Sequence, residues 1–314
     1  MRPKKFLIIS IGKKLGDNII DTFLVHHLKR IFPSSEIVIL MHESYKDVFI
    51  NNPDINDIIT VSDKKYFIQL FKLLPYLRSQ HFDVVIDVFF PLTYKKVLFD
   101  YLLRAKIVLS VNSSKFKYIT HSLPIDENHE HMLVRLIQVL QFFYPSFKAS
   151  FKYFLYPEID VCKEFDDYNK HEKVLFINPM ASDTNRTLSE HKINELLHKI
   201  TDRFPELKIF LSYNDKMFDI FQNVKTFVCA DLEHLFSLIK QVDFVLSVDT
   251  GIVHVAGAFN KPQIVLYAQP KSEYRPDHVF APISDKKILL HSQSDVNSIK
   301  EDDILNALEE LICH

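Results

Sequence analysis

Two short stretches of this 314-residue chain carry side chains whose types and spacing suit chemistry on an anionic substrate. In Val242 to Tyr267, VDFVLSVDTGIVHVAGAFNKPQIVLY, an apolar run from Phe244 to Val248 stops at Asp249-Thr250-Gly251. Ile252, Val253, Ala256 and Phe259 then recur at helical spacing, with Asp249 as the expected N-cap, and Asn260-Lys261-Pro262 ends the helix before a second run, Ile264 to Tyr267. A helix that starts at the carboxyl end of a buried strand presents free backbone N–H groups and the positive end of its dipole, so an anion belongs there. Thr250 adds a hydroxyl, Gly251 lets a ligand approach the backbone, and His254, one turn on, is expected to put an imidazole on the same face. The second stretch, Ile11-Gly12-Lys13-Lys14-Leu15-Gly16-Asp17, follows the apolar run Phe6 to Ile11. Asp17 stands where strand gives way to helix. A carboxylate there can take a proton from a hydroxyl nucleophile if its surroundings hold its pKa suitably, or it can simply cap the helix.

Glycine usage singles out the same two stretches. Average usage of about 7% would give roughly 22 glycines in a chain of this length, yet there are only Gly12, Gly16, Gly251 and Gly257. Two special loops explain the pattern; relief of tight turns and helix packing is the alternative for Gly12 and Gly257. The first loop matches neither GxxxxGK followed by Ser or Thr nor GxGxxG.

The elements that must position these loops alternate between buried strands and amphipathic helices, as in a parallel α/β sheet. Ile19, Ile20, Phe23, Leu24, His27, Leu28 and Ile31 predict a helix ending near Phe32-Pro33. Strands are expected at Glu36 to Met41, Ile58 to Val61, Phe82 to Phe89 and Ile107 to Val111, and helices at Tyr66 to Arg78, Thr93 to Leu103 and His129 to Phe143, with a turn at Asn51 to Asp54. Tyr144 to Lys173 loses periodicity and reads as a linker with room for one short helix. Val174 to Ile177 and Lys208 to Leu211 are then strands, Asn178 to Thr187 is a polar loop, and Glu190 to Phe204 and Leu232 to Lys240 are helices. The amphipathic tail Asp302 to Ile312 can pack back on either domain, the N-terminal one included. The domains implied are residues 1–155 and 174–314, joined by 156–173, with a ligand in the cleft between them.

Composition, at 47% hydrophobic and 25% charged, is that of a globular protein rather than a disordered one. Phe6 to Ile11 is too short for a signal peptide, and no run approaches the ~18 apolar residues of a membrane span. Cys162, Cys229 and Cys313 are too few and too far apart for a disulfide framework or a CxxC metal site, which points to the reducing cytoplasm. The net charge of −2 hides an asymmetry: residues 1–150 carry 20 Lys+Arg against 14 Asp+Glu, a net of +6, and the remainder a net of −8. The basic half can attract an anionic partner or membrane headgroups, or be a solvated lysine-rich surface.

Four segments together resemble the glycosyltransferase family 9 heptosyltransferases: Ser10 to Gly12 with Gly16 to Ile19, Asn52-Pro53-Asp54-Ile55-Asn56-Asp57, Asn178-Pro179-Met180-Ala181-Ser182, and above all Ser247-Val248-Asp249-Thr250-Gly251-Ile252-Val253-His254-Val255-Ala256. Their order and spacing match over nearly the whole chain. The resemblance implies a GT-B fold, two Rossmann-like domains with parallel sheets facing a central cleft, and metal-independent inverting transfer of a heptose from ADP-heptose, or of another sugar from its nucleotide, to an anionic lipopolysaccharide core acceptor. It makes Asp17 the catalytic base and gives Asn178, Met180, Ser182, Asp249, Thr250, Gly251 and His254 to the donor. Lys13, Lys14 and Gly16 in the basic first domain are left for the acceptor. No cofactor, metal or nucleic-acid partner is implied, and the expected location is the cytoplasm, with peripheral contact at the inner membrane face. The chain departs from the family at Asn185, where a phosphate-contacting lysine is usual; Arg186 can stand in for it. His234 lies where the family often has an acid. The same fold using another donor, a sugar-nucleotide epimerase and an inactive glycan-binding scaffold are the competing readings.

Weaker candidates are His129-Glu130-His131 and Asp166-Asp167 as metal ligands, His26-His27, and Lys271 with Arg275 as further phosphate contacts; for each, an ordinary structural or solvated role competes.

Overall fold

Parallel pairing governs both halves of the chain. The computed structural model describes all residues except 1–4, 11, 13, 63–65, 89–92, 127, 159–162, 166–171, 214–217, 219–220, 270–274 and 314. It divides into two compact units, residues 1–156 and 157–314.

The first unit runs β1 (Lys5–Ser10), α1 (Leu15–Ile31), β2 (Glu36–His42), β3 (Asp57–Val61), α2 (Tyr66–Ser79), β4 (Val84–Asp87), α3 (Tyr94–Leu102), β5 (Ile107–Val111), β6 (His121–Leu123) and α4 (Met132–Phe143). Its six strands are all parallel, in the order β3-β2-β1-β4-β5-β6. Alternation along β1 sorts its side chains between two layers. Leu7 and Ile9 join Leu70, Leu74 and Leu77 of α2 and Val97 of α3 in one core, while Phe6 meets Phe32, just past α1, and Phe143, the last residue of α4.

The second unit runs β7 (Val174–Asn178), α5 (Glu190–Arg203), β8 (Lys208–Ser212), β9 (Val224–Phe227), α6 (Leu232–Gln241), β10 (Phe244–Val248), α7 (Gly251–Ala258), β11 (Gln263–Tyr267), α8 (Pro276–Val279), β12 (Lys287–His291) and α9 (Glu301–Cys313). Its parallel strands lie in the order β12-β11-β10-β7-β8-β9, the same topology as the first sheet. Each sheet therefore reverses its winding between its first and fourth strands, β1 and β4 in one, β7 and β10 in the other, and the crevice at the carboxyl end of that pair is where doubly wound sheets bind ligands. Both chemistry-bearing loops follow these strands. The C-terminal helix α9 packs on α5, β11 and β12 of its own unit.

Three strands escaped the sequence reading: β6, β9 and β12. Two are sheet edges and the third, β6, is three residues long and also an edge; half-exposed strands carry polar residues and lack the continuous apolar run of a central strand. Elsewhere the ends shift. The expected strand from Phe82 is β4, which begins at Val84 and ends at Asp87, and Phe89 lies outside the described residues; the helix expected from His129 starts at Met132 with His131 as its N-cap. The segment expected as linker is in part a packed strap. Tyr153 is buried, the Phe154 N–H donates to Thr22 Oγ1 at 2.9 Å, and the Phe154 ring stacks on His26 at 3.6 Å. His26 also contacts Asp54 at 3.0 Å, so the His26-His27 pair is part of the packing of α1.

Candidate active site

In the second unit, β7 and β10 pair with Asn178 in register with Ser247 at their carboxyl ends. The Asn178 amide, itself buried, donates to Ser247 Oγ at 3.1 Å, to Thr250 Oγ1 at 3.1 Å and to the Met180 carbonyl at 3.2 Å. It thereby ties the loop after β7 to the start of α7. Thr250, rather than the expected Asp249, is the N-cap of α7; its Oγ1 accepts from the Ile252 N–H at 3.3 Å. Asp249 is otherwise engaged. Arg186 Nη1 donates to its carbonyl at 2.9 Å and to its carboxylate at 3.1 Å, and Arg186 Nη2 reaches Ser182 Oγ at 3.4 Å. Gly251 opens the helix, so its N–H has no intrahelical acceptor.

The loop between β7 and α5 is held by its own bonds: Leu188 N–H to the Pro179 carbonyl at 2.9 Å, and Thr187 Oγ1 to Ala181 and Asp183. Met180 and Ser182 are exposed on it. Six of the residues assigned to the donor thus fall into two hydrogen-bonded sets, Asn178 with Met180 and Thr250, and Arg186 with Ser182 and Asp249, which meet where Asp249 precedes Thr250 in the chain, with Gly251 next. His254 lies deeper, buried in α7 with its ring 6.2 Å from Phe280. Ser247, which links Asn178 to Thr250, opens the segment that carries the resemblance, but a serine within an apolar strand carries no signal of that role by itself.

In the first unit, Asp17 lies in the first turn of α1, whose N-cap position is Lys14 without a side-chain capping bond. A Cβ built on Gly12 would stand 2.9 Å from Asp17 Cβ and 3.0 Å from Oδ2, closer than real contacts come. Gly12 is therefore what admits the carboxyl. Asn18, fully buried, laces the loop: it donates to the carbonyls of Gly12 at 3.2 Å and Lys14 at 2.8 Å and accepts from Ser10 Oγ at 3.1 Å. Its place directly after Asp17 was the available clue, since Asn side chains serve turns and loops. Burial pushes the Asp17 carboxyl up to about 6, against the pull of the Lys14 ammonium. One turn along α1, Asp21 is fully buried and raised well above the usual carboxylate range by desolvation. Asp87, at the end of β4, pairs with Lys96 at 2.9 Å, and burial together with Asp87 raises Asp100. Gly16 is buried in the first turn, Lys14 is exposed beside Asp17, and Lys13 lies outside the described residues.

The weaker candidates have structural partners. His129 contacts Asp126 at 3.1 Å and His131 caps α4; Arg275 binds Asp277 at 3.0 and 2.8 Å; His234 contacts Glu164 at 3.0 Å. Asp166, Asp167 and Lys271 lie outside the described residues. Among the described residues no group of three His, Cys, Asp or Glu is placed to hold a metal ion.

Comparison with known proteins yields a consistent picture. The model of the glycosyltransferase family 9 (heptosyltransferase) domain matches residues 70–308. Lipopolysaccharide heptosyltransferase 1 of Campylobacter coli is 25% identical over 344 residues, covering 98% of this chain and 98% of that protein. A family 9 glycosyl transferase from Veillonella parvula superposes with a TM-score of 0.81 at 16% identity, covering 99% of this chain and 97% of that one. The Escherichia coli heptosyltransferase WaaC, solved with ADP, superposes with a TM-score of 0.76 at 14% identity, covering 98% and 99%. The fold shared with these structures is GT-B, two Rossmann-like units in one chain.

Proposed function

The chain belongs to glycosyltransferase family 9, the heptosyltransferase family, and on that premise we propose that this glycosyltransferase moves a heptose from ADP-heptose to the inner core of lipopolysaccharide, inverting the anomeric carbon, at the inner face of the inner membrane. The observation that carries the reading is the network of Asn178, Arg186, Asp249 and Thr250 around the N-terminus of α7. A diphosphate suits that place: the Gly251 N–H, the helix dipole and the Arg186 guanidinium all favour negative charge. The names of the Campylobacter relative and of the Escherichia coli structure with ADP support the acceptor and donor.

In the reaction, an acceptor hydroxyl oxygen bonds to the anomeric carbon as the bond to the diphosphate breaks, and ADP leaves with the electron pair. Asp17 takes the hydroxyl proton; with a pKa of about 6 it is ionised at neutral pH, yet more basic than an ordinary aspartate. Charge growing on the leaving phosphate is met by fixed dipoles at α7, so the reading needs no metal and no cofactor. Arg186 takes the part of the lysine that the family has at Asn185. Lys13, Lys14 and Gly16 are assigned to the acceptor, and Met180, Ser182 and His254 to the donor. A different nucleotide sugar is the second reading, and Asn185 is the observation that favours it.

Calorimetric titration with nucleoside diphosphates in metal-free buffer tests the donor assignment. ADP is expected to bind more tightly than UDP or GDP, and Asp17→Ala to abolish heptose transfer while ADP binding persists. Preference for UDP or GDP would replace the donor, and normal turnover by the Asp17 variant would remove its role as base.

A further inference from the structure

The outer faces of α2 and α3 combine exposed aromatic and aliphatic side chains with exposed lysines. Among the described residues eleven large hydrophobic side chains are strongly exposed, and six of them, Ile68, Tyr76, Tyr94, Leu98, Tyr101 and Tyr118, lie on α2, α3 and the loop before β6. Helical spacing lines them up. Ile68, Lys72 and Tyr76 fall at i, i+4 and i+8 on α2, and Tyr94, Leu98 and Tyr101 at i, i+4 and i+7 on α3, so on each helix the exposed side chains line up along one flank.

The stripes join into one patch. Lys95 Nζ sits 5.4 Å over the Phe67 ring, Tyr94 meets Phe116 at 5.2 Å and Tyr101 meets Tyr118 at 4.4 Å. Tyr94, at 81%, is the most exposed of the eleven. A shallow depression of about 540 Å³ opens between Phe67, Ile68, Phe71, Lys72 and Lys95.

Among the described residues, charge on the patch has one sign. From Tyr66 to Leu123 the acids are Asp83, Asp87 and Asp100; Asp87 and Asp100 are fully buried, and Asp83 stands before β4, at the opposite edge of the sheet, bound to Lys106. Lys72, Lys95, Lys115 and Lys117 are exposed and form no ion pair with another described residue. An apolar and tyrosine-rich surface flanked by lysines matches the interfacial zone of an anionic bilayer, where aromatic rings lie at headgroup level and ammonium groups meet lipid phosphates. A second copy of the chain fits less well, because a two-fold interface would set these cations against each other.

We propose that α2, α3 and the 115–118 loop form the membrane-docking face of the first unit, and that it recognises anionic phospholipid. The proposal deepens the reading above, in which the acceptor is a membrane-anchored lipopolysaccharide precursor. All strands of this sheet are parallel, so α2 and α3 begin at the same sheet edge as the Asp17 loop. Docking through this face keeps the base near the plane in which such an acceptor lies.

Flotation of the full-length protein with vesicles of phosphatidylethanolamine and phosphatidylglycerol, against vesicles of phosphatidylcholine alone, tests the proposal. The protein is expected to float with the anionic vesicles and much less with the neutral ones. Lys72→Gln combined with Lys95→Gln should weaken partitioning about 30-fold, and Tyr94→Ser combined with Leu98→Ser should weaken it on its own account. ADP binding and transfer to a soluble, delipidated core oligosaccharide should be unchanged in both variants, which shows them folded. Equal flotation with both vesicle types, undiminished flotation of the lysine variant, or a dimer in sedimentation equilibrium that Tyr94→Ser dissolves would each overturn it. Loss of transfer to the soluble acceptor in the lysine variant would also overturn it, since the face would then belong to the sugar acceptor. A protein that floats as expected but moves no heptose would sustain the docking face and sink the enzymatic reading instead.

Discussion

At Asp17 burial and a neighbouring charge act in opposite directions. Burial at the start of α1 raises its carboxyl to about 6, and the adjacent Lys14 draws it down. An unfolded aspartate titrates near 3.8, so between these pH values the folded chain keeps a proton that the unfolded chain has lost. Stability therefore falls as pH rises through that window, and at neutral pH the buried charge costs roughly 1–3 kcal/mol. Asp17→Asn removes the charge at little change of shape. The variant is expected to be more stable than the natural chain at pH 7 by about that amount, with the difference gone below a pH of about 4, and to be inactive. Chemical denaturation over the pH range measures the first part; no gain at pH 7 would mean that another group already compensates the carboxylate. Turnover by the natural enzyme should rise with pH through about 6, as the base loses its proton.

Elements, rather than single residues, explain which parts of the site were legible in the sequence. The βαβ unit from β10 to β11 could be read because its strands are continuous apolar runs buried on both faces and its helix keeps a 3.6-residue period. Its N-cap was misplaced by one residue. Asp249 and Thr250 are both good caps in series, and nothing local reveals that Arg186, 63 residues earlier, occupies Asp249. Gly12 likewise stood out as scarce, but its reason is a contact across the β1–α1 junction, which depends on how the loop folds against the helix. That junction gives an element-scale prediction. In Gly12→Ala the new methyl meets Asp17 Cβ, which is anchored to the helix and cannot swing away, so loop and helix must part. Transfer is expected to fall about 10- to 100-fold through misplacement of the base, with ADP binding unchanged because the donor network lies wholly in the second unit. Equal turnover would show that the loop relaxes without moving Asp17.

At the scale of the whole molecule, one topology occurs twice, and each copy has its own core. Leu70, Leu74 and Val97 close one face of the first sheet; Ile193, Leu196, Ile304 and Leu308 close one face of the second, where α9 is further held by Lys192 and Lys199 of α5 pairing with Glu301 and Asp302. The division of charge follows the same line, basic in the first half and acidic in the second. Two cores of this kind can melt separately, and the proposed ligands fall on different ones: the nucleotide on α7, the acceptor near α1. Calorimetry or denaturant titration is therefore expected to resolve two transitions. ADP at about 100 times its dissociation constant should stabilise one of them by about 2.7 kcal/mol and leave the other in place, while Asp17→Asn at neutral pH should raise the one that ADP does not. A single transition moved by both changes would mean that the two units unfold as one, and the donor network could then not be assigned to a separately stable half.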